Sequence, residues 1–147
     1  DYAEAHCNLG VALQNLGKHN EAETIFRKAI ELKPNYIMAY RNLGNALYHL
    51  GKYNEAETSY RKAIELKPDY ADTYSNLGLI LDKLKRPIEA RANYQKSLRL
   101  DLNNKKNLAE YGNLLLKLNE HNNGLKFITE GQGVIVFTDS SLKIIYK

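Results

Sequence analysis

One stretch of this 147-residue sequence occurs twice with few changes. Residues 17–36 read GKHNEAETIFRKAIELKPNY, and residues 51–70 read GKYNEAETSYRKAIELKPDY. When residues 3–36 are aligned with residues 37–70, 23 of the 34 positions are identical. A fixed period of roughly 20 to 50 residues indicates stacked units that bury their apolar faces on one another, so the chain is predicted to fold as a solenoid.

The first half of each repeat carries the pattern of an amphipathic helix. In repeat one, Leu9, Leu13 and Leu16 follow one another at steps of four and three residues, so their side chains fall on one helix face. Gly17 comes directly after the last of them, and a glycine in this place is typical of a helix end. The pattern therefore predicts one helix in the first half of each repeat, which we call the A helix.

The second half of each repeat is predicted to begin at an N-terminal cap. Asn20 is followed three residues later by Glu23, and Asn54 is followed by Glu57 in the next repeat, a variant of the capping box. An arginine four residues after each glutamate is predicted to form an ion pair on a solvated helix surface, with no functional role. A proline near the end of the repeat, Pro34 in repeat one, stops this second helix, which we call the B helix.

Several residue types recur at the same positions of successive repeats: a large residue, a Leu-Gly pair, small residues, an aromatic residue and a closing proline. They are Leu9, Gly10, Ala22, Phe26, Ala29 and Pro34 in repeat one; Tyr40, Leu43, Gly44, Ala56, Tyr60, Ala63 and Pro68 in repeat two; and Tyr74, Leu77, Gly78, Ala90 and Tyr94 in repeat three. Small residues let two helix backbones approach, and the aromatic ring fills the remaining space. In length and in these positions the chain resembles the tetratricopeptide repeat family. The resemblance implies an all-α fold, a right-handed solenoid of helix pairs.

The array is expected to span residues 1–131. Its repeats are expected at residues 3–36, 37–70 and 71–104, with a degenerate repeat at residues 105–131. Gly124 and Gly131 occupy the small positions of this last repeat, and an interior glycine costs about 1 kcal/mol relative to alanine. The B helix of repeat four is therefore predicted to be short or frayed. Because the chain begins at Asp1 without a methionine, we expect it to be a fragment of a longer protein.

The last residues leave the helical pattern. Two β-branched runs, at residues 134–137 and 142–146, flank turn-forming residues at 138–141, which predicts a β-hairpin over residues 132–147. An isolated two-stranded hairpin is marginally stable in water, so another surface is expected to cover one of its faces. Three interpretations stay open: the hairpin caps the array, offers its strand edges to another chain, or opens a further domain.

The resemblance to the tetratricopeptide family implies a binding groove on the concave surface made by the A helices. Asn8, Asn42 and Asn76 occupy one position in three successive repeats, so their amides are predicted to form a ladder along this groove. An amide has both donors and an acceptor, which suits the N–H and C=O groups of an extended peptide. The arrangement is similar to the asparagine ladder in the repeat arrays of O-linked N-acetylglucosamine transferases. The alternative is that these asparagines contact only water.

A second binding mode of the family is a clamp of cationic residues and asparagines that holds the terminal carboxylate of a peptide. The resemblance places Arg41, Asn45, Asn76 and Lys106 at four of its five positions. Glu110 stands at the fifth position, and its negative charge is expected to repel a carboxylate. The full set of predicted peptide-binding residues is Asn8, Arg41, Asn42, Asn45, Tyr48, Asn76, Lys106 and Asn113.

Composition and charge argue against several classes of partner. The 21 Lys and Arg residues exceed the 17 Asp and Glu residues by four, and they are spread over predicted helix surfaces, so no nucleic-acid partner is expected. No apolar run approaches the roughly 20 residues that span a bilayer, so no membrane partner is expected. The single cysteine, Cys7, permits no internal disulfide, and this favours a cytoplasmic location.

The sequence shows no catalytic or metal-binding signal. The four histidines lie in different predicted helices without ligand spacing, and Cys7 has no basic neighbour in sequence that would activate its thiol. We therefore predict no enzyme activity, no metal and no cofactor. The chain is interpreted as a protein-interaction scaffold that binds an extended peptide or a partner's helix. Two alternatives stay open: an array that recruits substrate within a larger enzyme such as a glycosyltransferase, and a homo-oligomer formed through the hairpin edge or the open ends of the solenoid.

Overall fold

A computed structural model describes residues 2–101, 105–119, 127–130, 133–138 and 141–144. Seven α-helices make up its described part as far as residue 119: α1 (Tyr2–Asn15), α2 (His19–Leu32), α3 (Ile37–His49), α4 (Tyr53–Leu66), α5 (Ala71–Lys83), α6 (Pro87–Leu100) and α7 (Lys105–Asn119). The A helices are α1, α3, α5 and α7, and the B helices are α2, α4 and α6. Each helix packs on the next one in the chain, and each A helix also contacts the next A helix. The predicted helical solenoid is therefore confirmed.

The turn between the A and B helices is set by one residue with a positive φ. Gly17 (φ 74°) and Gly51 (φ 73°) take this conformation after α1 and α3, where glycine has no Cβ to clash. The N–H of Lys18, the next residue, donates a 2.9 Å hydrogen bond to Leu13 O, so the chain reverses within a few residues. The third repeat makes the same turn with Lys85 (φ 61°), a residue with a Cβ. A left-handed conformation is costly for such a residue.

Within each repeat, an aromatic ring of the B helix packs on a glycine of the A helix. A Cβ placed on Gly10 would lie 2.5 Å from the Phe26 ring, and one placed on Gly44 would lie 2.8 Å from the Tyr60 ring. The corresponding distance is 3.0 Å for the third repeat, where the ring of Tyr94 lies over its glycine. The three rings are buried. The recurring Leu-Gly pair and the aromatic residue thus determine how closely the two helices of a repeat approach.

The predicted capping box is wrong. Helix α2 begins at His19, and its N-cap residue is Lys18, which makes no side-chain capping hydrogen bond. Asn20 therefore lies inside the first turn of the helix, where its carbonyl accepts a 3.2 Å hydrogen bond from Thr24 Oγ1. Glu23 does not reach back to the cap because its carboxylate is bound elsewhere. Helix α4 begins in the same way, after Lys52.

The carboxylate of Glu23 belongs to an ion-pair network that joins repeats one and two. Glu23 contacts Arg27 Nη2 at 2.9 Å and Lys52 Nζ at 2.8 Å, and Arg27 Nη2 also contacts Glu55 Oε2 at 2.7 Å. Burial raises the pKa of Glu23, but the hydrogen bonds and charges of Lys52 and Arg27 outweigh that effect and lower it. The pair between Glu23 and Arg27, predicted as isolated surface chemistry, is part of a contact between repeats.

The same network recurs one repeat further along the chain. Glu57 contacts Arg61 Nε at 2.8 Å and Arg86 Nη1 at 2.7 Å, and Arg61 contacts Glu89 at 3.5 Å. Residues 57, 61, 86 and 89 are therefore the equivalents of residues 23, 27, 52 and 55. Two successive interfaces between repeats share one arrangement of charge.

The backbone after residue 126 contains three short strands: β1 (Phe127–Glu130), β2 (Gly133–Thr138) and β3 (Ser141–Ile144). They pair antiparallel in the order β1-β2-β3, with Val134 opposite Thr129 and Val136 opposite Lys143. Residues 127–130, predicted to belong to the B helix of repeat four, form a strand instead. The rest of that predicted helix lies outside the described residues. The hairpin as a cap, as an edge for another chain or as the start of a domain stays a prediction.

Candidate functional site

The A helices of repeats two to four enclose a cleft of about 230 Å³. Helices α3, α5 and α7 provide seven of its lining residues, and the B helix α4 provides the eighth. The lining residues are Asn45, Tyr48, His49, Tyr60, Asn76, Leu79, Lys106 and Glu110. They fall on one side of the helix layer because residues three and four apart on a helix share a face.

A chain of hydrogen bonds runs along one wall of this cleft. The hydroxyl of Tyr60 donates to Asn45 Oδ1 at 2.6 Å, and Asn76 Nδ2 donates to the same oxygen at 3.3 Å. Lys106 Nζ then donates to Asn76 Oδ1 at 3.3 Å. The chain joins four helices, α4, α3, α5 and α7 in that order. It holds the two amides in fixed orientations relative to each other.

Several N–H groups of this wall make no hydrogen bond to other described residues. The two lone pairs of Asn45 Oδ1 are both used, but its Nδ2 group donates no hydrogen bond to the described residues. Asn76 uses one of its two N–H groups, and the Lys106 ammonium uses one of its three. The wall can therefore donate several further hydrogen bonds. It suits a ligand rich in acceptors, such as carbonyl oxygens.

Aromatic side chains form the other part of the cleft. Tyr48 and His49, at the end of α3, meet edge to face with ring centroids 5.3 Å apart, and the His49 ring stacks on His19 at 4.5 Å. Burial, followed by the charges of His19 and Lys106, lowers the pKa of His49. Burial also raises the pKa of Tyr60, so its hydroxyl stays protonated and acts as a donor at neutral pH. The His49 ring and the Tyr60 hydroxyl are thus uncharged at neutral pH.

Glu110 gives the cleft a negative group. It lies one helical turn after Lys106 on α7 and is half-buried. Within the described residues Glu110 forms no ion pair and accepts no hydrogen bond. The lining residues therefore include one ammonium and one carboxylate, and the charges of these two groups cancel.

Sequence comparison supports the repeat assignment over most of the helical region. Tetratricopeptide repeat models match residues 3–36, 25–58 and 71–104, and a model described as a TPR repeat matches residues 44–85. The chain contains tetratricopeptide repeats. No match to a curated protein was found. None of the comparisons links these repeats to O-linked N-acetylglucosamine transferases, so that part of the resemblance stays a prediction.

Solved structures of other tetratricopeptide proteins share the fold. The first repeat domain of Spaghetti (RPAP3), solved with an HSP90 peptide, is 26% identical with a TM-score of 0.77, and the match covers 80% of this chain and 93% of that one. MamA from Desulfovibrio magneticus RS-1 is 28% identical with a TM-score of 0.76, covering 82% of this chain and 68% of its own. The Arabidopsis OM64 repeat domain, at 24% identity and a TM-score of 0.77, covers 79% of this chain and 96% of its own.

Four of the eight predicted binding residues of this tetratricopeptide array line the cleft: Asn45, Tyr48, Asn76 and Lys106. The other four lie elsewhere. Asn8 is exposed on α1 and Asn113 is exposed on α7, while Asn42 is half-buried on α3. Asn42 Nδ2 donates to the sulfur of the buried Cys7 at 3.5 Å, so this amide braces α3 against α1.

The structure does not bring Arg41 into the cleft. Its guanidinium carbon lies 4.6 Å from the centre of the Tyr70 ring, and its Nη2 lies 3.8 Å from Asp72 Oδ2. A guanidinium stacked on an aromatic face and close to a carboxylate is already stabilised in that position. Three of the four residues that matched the carboxylate clamp therefore meet at one place, and the fourth does not join them.

Tyr60 is a cleft residue, although its repeat position predicts only a packing role. Its ring packs on Gly44, but its hydroxyl extends to Asn45. The signal was present in the sequence, because repeat one has Phe26 at this position together with Val11 where repeat two has Asn45. A buried tyrosine hydroxyl needs a hydrogen-bond partner, and the tyrosine and the asparagine occur together in repeat two.

Two classes of site find no structural support in the described part of the chain. No helix there is both long enough and apolar enough to cross a membrane. No group of three or more His, Cys, Asp or Glu side chains there is arranged to hold a metal ion.

Proposed function

We propose that this chain is a protein-interaction scaffold, and that an extended peptide binds along its A helices through the cleft. The observation that carries the proposal is the fixed row of donors on Asn45, Asn76 and Lys106. Backbone carbonyl oxygens of an extended peptide are acceptors that such a row can satisfy without reading side chains. The 26% identical repeat domain of Spaghetti (RPAP3) was solved with the HSP90 peptide SRMEEVD, which supports a peptide as ligand.

The cleft favours internal peptide segments over a free terminal carboxylate. Glu110 occupies the place of the second cation, and a carboxylate ligand close to Glu110 is repelled. Arg41, which would provide a further positive charge, lies against Tyr70 and Asp72. Backbone recognition is therefore the mode that we propose, with Tyr48 and Leu79 contacting apolar atoms of the peptide.

The asparagine ladder enters this proposal in a modified form. Asn76 takes part in the cleft directly, whereas Asn42 is bound to Cys7 and would contribute through its remaining N–H group and its oxygen. Asn8 lies on the same face of the preceding A helix and is exposed. We propose that the three amides contact successive parts of one peptide bound along the groove, with the most specific contact at Asn76.

We propose that the repeats bind rather than catalyse. Cys7 is 3% exposed, and its sulfur accepts a hydrogen bond from the amide of Asn42. A thiol that acts as a nucleophile needs an activating base and access to substrate, and Cys7 is buried. Recruitment of a substrate for a separate catalytic domain would use the same groove. A cytoplasmic location stays a prediction.

The test begins with selection of peptide ligands from a display library of random peptides, using the full chain as bait. Affinities of the selected peptides are then measured by calorimetry for the full chain and for Asn76→Ala. Loss of a satisfied hydrogen bond costs about 0.5 to 1.5 kcal/mol, so we expect affinity to fall roughly two- to tenfold. Asn20→Ala, which changes an exposed asparagine of the B helix α2, is the matched control. Equal affinity of Asn76→Ala and the unmodified chain contradicts the assignment of the cleft.

The role of Glu110 is tested with the peptide SRMEEVD in two forms, with a free carboxylate and with a C-terminal amide. We expect the unmodified chain to show no preference for the free carboxylate. The variant Glu110→Arg restores a cation at the fifth clamp position, and it is expected to bind the free carboxylate form more tightly than the amide form. A preference of the unmodified chain for the free carboxylate contradicts the proposed backbone mode.

A further inference from the structure

Glu110 differs from the other half-buried carboxylates of the described residues. Glu23 and Glu57 each contact two cations at 2.7 to 2.9 Å. Asp82 Oδ2 lies 2.6 Å from Lys117 Nζ. Glu110 is half-buried as well, but no cation or hydrogen-bond donor of the described residues contacts it. A carboxylate that is partly removed from water is costly without such a partner, so a ligand that provides one is expected to bind there.

A hydrogen-bonded arrangement of the preceding interface recurs around Glu110 with its central acceptor missing. Between repeats two and three, the hydroxyl of Tyr60 and the amide of Asn76 both donate to Asn45 Oδ1. The equivalent residues 34 positions later are Tyr94, Leu79 and Glu110. The leucine side chain has no acceptor, and an ionised glutamate has no donor. The polar groups at this second place therefore cannot satisfy one another in the same way.

The charge of Glu110 acts on Tyr94, the aromatic residue of this second arrangement. Burial, followed by the charges of Glu110 and Asp82, raises the pKa of Tyr94, so its hydroxyl stays protonated. That hydroxyl makes no hydrogen bond to another residue that the structure describes. This side of the cleft thus combines a negative charge with polar groups that lack partners within the described part of the chain.

Two lysines on the same face of α7 as Glu110 contact other groups. Lys106 precedes Glu110 by four residues, an order that is less favourable for an ion pair than the reverse. Its Nζ donates to Asn76 Oδ1 at 3.3 Å instead. Lys117, two helical turns after Glu110, pairs with Asp82. Neither lysine neutralises Glu110 by direct contact, so the carboxylate can receive a cation from a ligand.

From these observations we infer that Glu110 binds a basic side chain, arginine or lysine, of the peptide in the cleft. This assignment rests on the proposed function, because it requires a peptide along the A helices. The donors on Asn45, Asn76 and Lys106 bind the peptide backbone, and Glu110 selects one side chain of that peptide. The site therefore has a preference that backbone recognition alone does not give.

The other lining residues suit the stem of such a side chain. Lysine and arginine have aliphatic stems that pack on apolar surface while their charged ends stay polar, and Tyr48 and Leu79 offer that surface. A guanidinium can bind a carboxylate through two N–H groups and can also stack on an aromatic ring. We therefore expect arginine to bind more tightly than lysine.

The test begins with the peptides selected from the random display library with the full chain. We expect one position of these peptides to be enriched in arginine or lysine relative to the library. Selection of no peptide contradicts the proposed function and this inference together. Peptides that Asn76→Ala weakens, but that show no such enrichment, leave the proposed function standing and overturn this inference alone.

Calorimetry then compares one selected peptide in forms with arginine, lysine or norleucine at the enriched position. In Glu110→Gln, affinity for the arginine form should fall about five- to tenfold, because a charge-assisted contact is lost in a partly exposed site. Affinity for the norleucine form should stay unchanged. The matched control is Glu31→Gln, which removes an exposed carboxylate of α2, a helix that contributes no lining residue. Equal losses for the arginine and norleucine forms overturn the inference.

A charge exchange distinguishes direct pairing from a general effect of Glu110 on the cleft. A form of the peptide with glutamate at the enriched position should bind Glu110→Lys more tightly than the unmodified chain, and the arginine form should show the reverse order. Raising the salt concentration from about 0.05 M to about 0.5 M should weaken the arginine form more than the norleucine form. A glutamate form that binds both proteins equally contradicts direct pairing and overturns the inference.

Discussion

The hydroxyl of Tyr60 donates a 2.6 Å hydrogen bond to Asn45 Oδ1 and thereby links the packing of one repeat to the binding cleft. The Tyr60 ring is 2% exposed and lies against Gly44, while the oxygen that it meets belongs to a residue of the cleft wall. One side chain therefore serves the core and the candidate site together. A change in either partner is expected to affect both stability and binding.

Removal of the two partners should have unequal costs. Asn45→Ala leaves the buried Tyr60 hydroxyl without its acceptor, so we expect a loss of about 1 to 3 kcal/mol in the free energy of unfolding. Tyr60→Phe removes the donor and leaves Asn45 Oδ1 bonded to Asn76, so the expected loss is about 0.5 to 1.5 kcal/mol. Urea unfolding measures both values. The double variant should cost less than the sum of the single variants, and strict additivity contradicts the coupling.

The close approach of Gly44 to the Tyr60 ring predicts a clear effect of one added methyl group. In Gly44→Ala the new Cβ would lie 2.8 Å from the ring, and such overpacking costs about 1 to 3 kcal/mol. The matched control is Gly78→Ala, where the corresponding distance to Tyr94 is 3.0 Å and the expected cost is smaller. Thermal unfolding of the two variants gives the comparison. A larger loss for Gly78→Ala would be inconsistent with the packing described.

Lys85 occupies a turn position at which the first two repeats have glycine. Its φ of 61° is left-handed, which costs a residue with a Cβ roughly 1 to 2 kcal/mol, partly offset because glycine loses more entropy on folding. We therefore expect Lys85→Gly to stabilise the chain by about 0.5 to 1 kcal/mol. The reciprocal change in repeat two, Gly51→Lys, should destabilise it by a similar amount, because nothing lies within 4 Å of the added Cβ and the effect is confined to the backbone. Chemical denaturation of both variants is the measurement, and a destabilised Lys85→Gly refutes the expectation.

Because of His49, the free energy of unfolding should decrease as the pH is lowered. Its pKa is lowered in the folded chain by burial and then by the charges of His19 and Lys106, so the unfolded chain binds a proton more readily than the folded chain. The free energy of unfolding therefore falls as the pH drops from the ordinary histidine pKa of about 6.5 through the lowered pKa of His49. The effect should be small, since burial removes only part of the His49 side chain from solvent.

The variant His49→Asn isolates this contribution, because asparagine occurs at the equivalent position of repeat one as Asn15. Unfolding free energies measured between pH 7.5 and pH 5 should depend less on pH in His49→Asn than in the unmodified chain. Identical pH dependence in the two proteins would show that His49 makes no contribution.

Sequence periodicity was sufficient to predict the helices and their order. The identical positions of repeats one and two place leucines, glycines and aromatic rings at fixed helical spacing, and the three glycine contacts in the structure follow that spacing. Groove residues could be proposed from the same register. The capping boxes were wrong, because a local pattern such as Asn20 and Glu23 does not reveal that Glu23 has a stronger partner, Lys52, in the next repeat.

The sequence by itself determined that consecutive helix pairs stack, because thirty-four-residue periodicity leaves each apolar face to be covered by a neighbour. Only the tertiary structure decided which polar side chains contact one another. Asn45, Asn76 and Lys106 meet in one cleft, whereas Arg41 lies against Tyr70 and Asn42 donates a hydrogen bond to Cys7. The physical reason is that helical spacing fixes the face on which a side chain lies, whereas its hydrogen-bond partner depends on atoms contributed by distant helices.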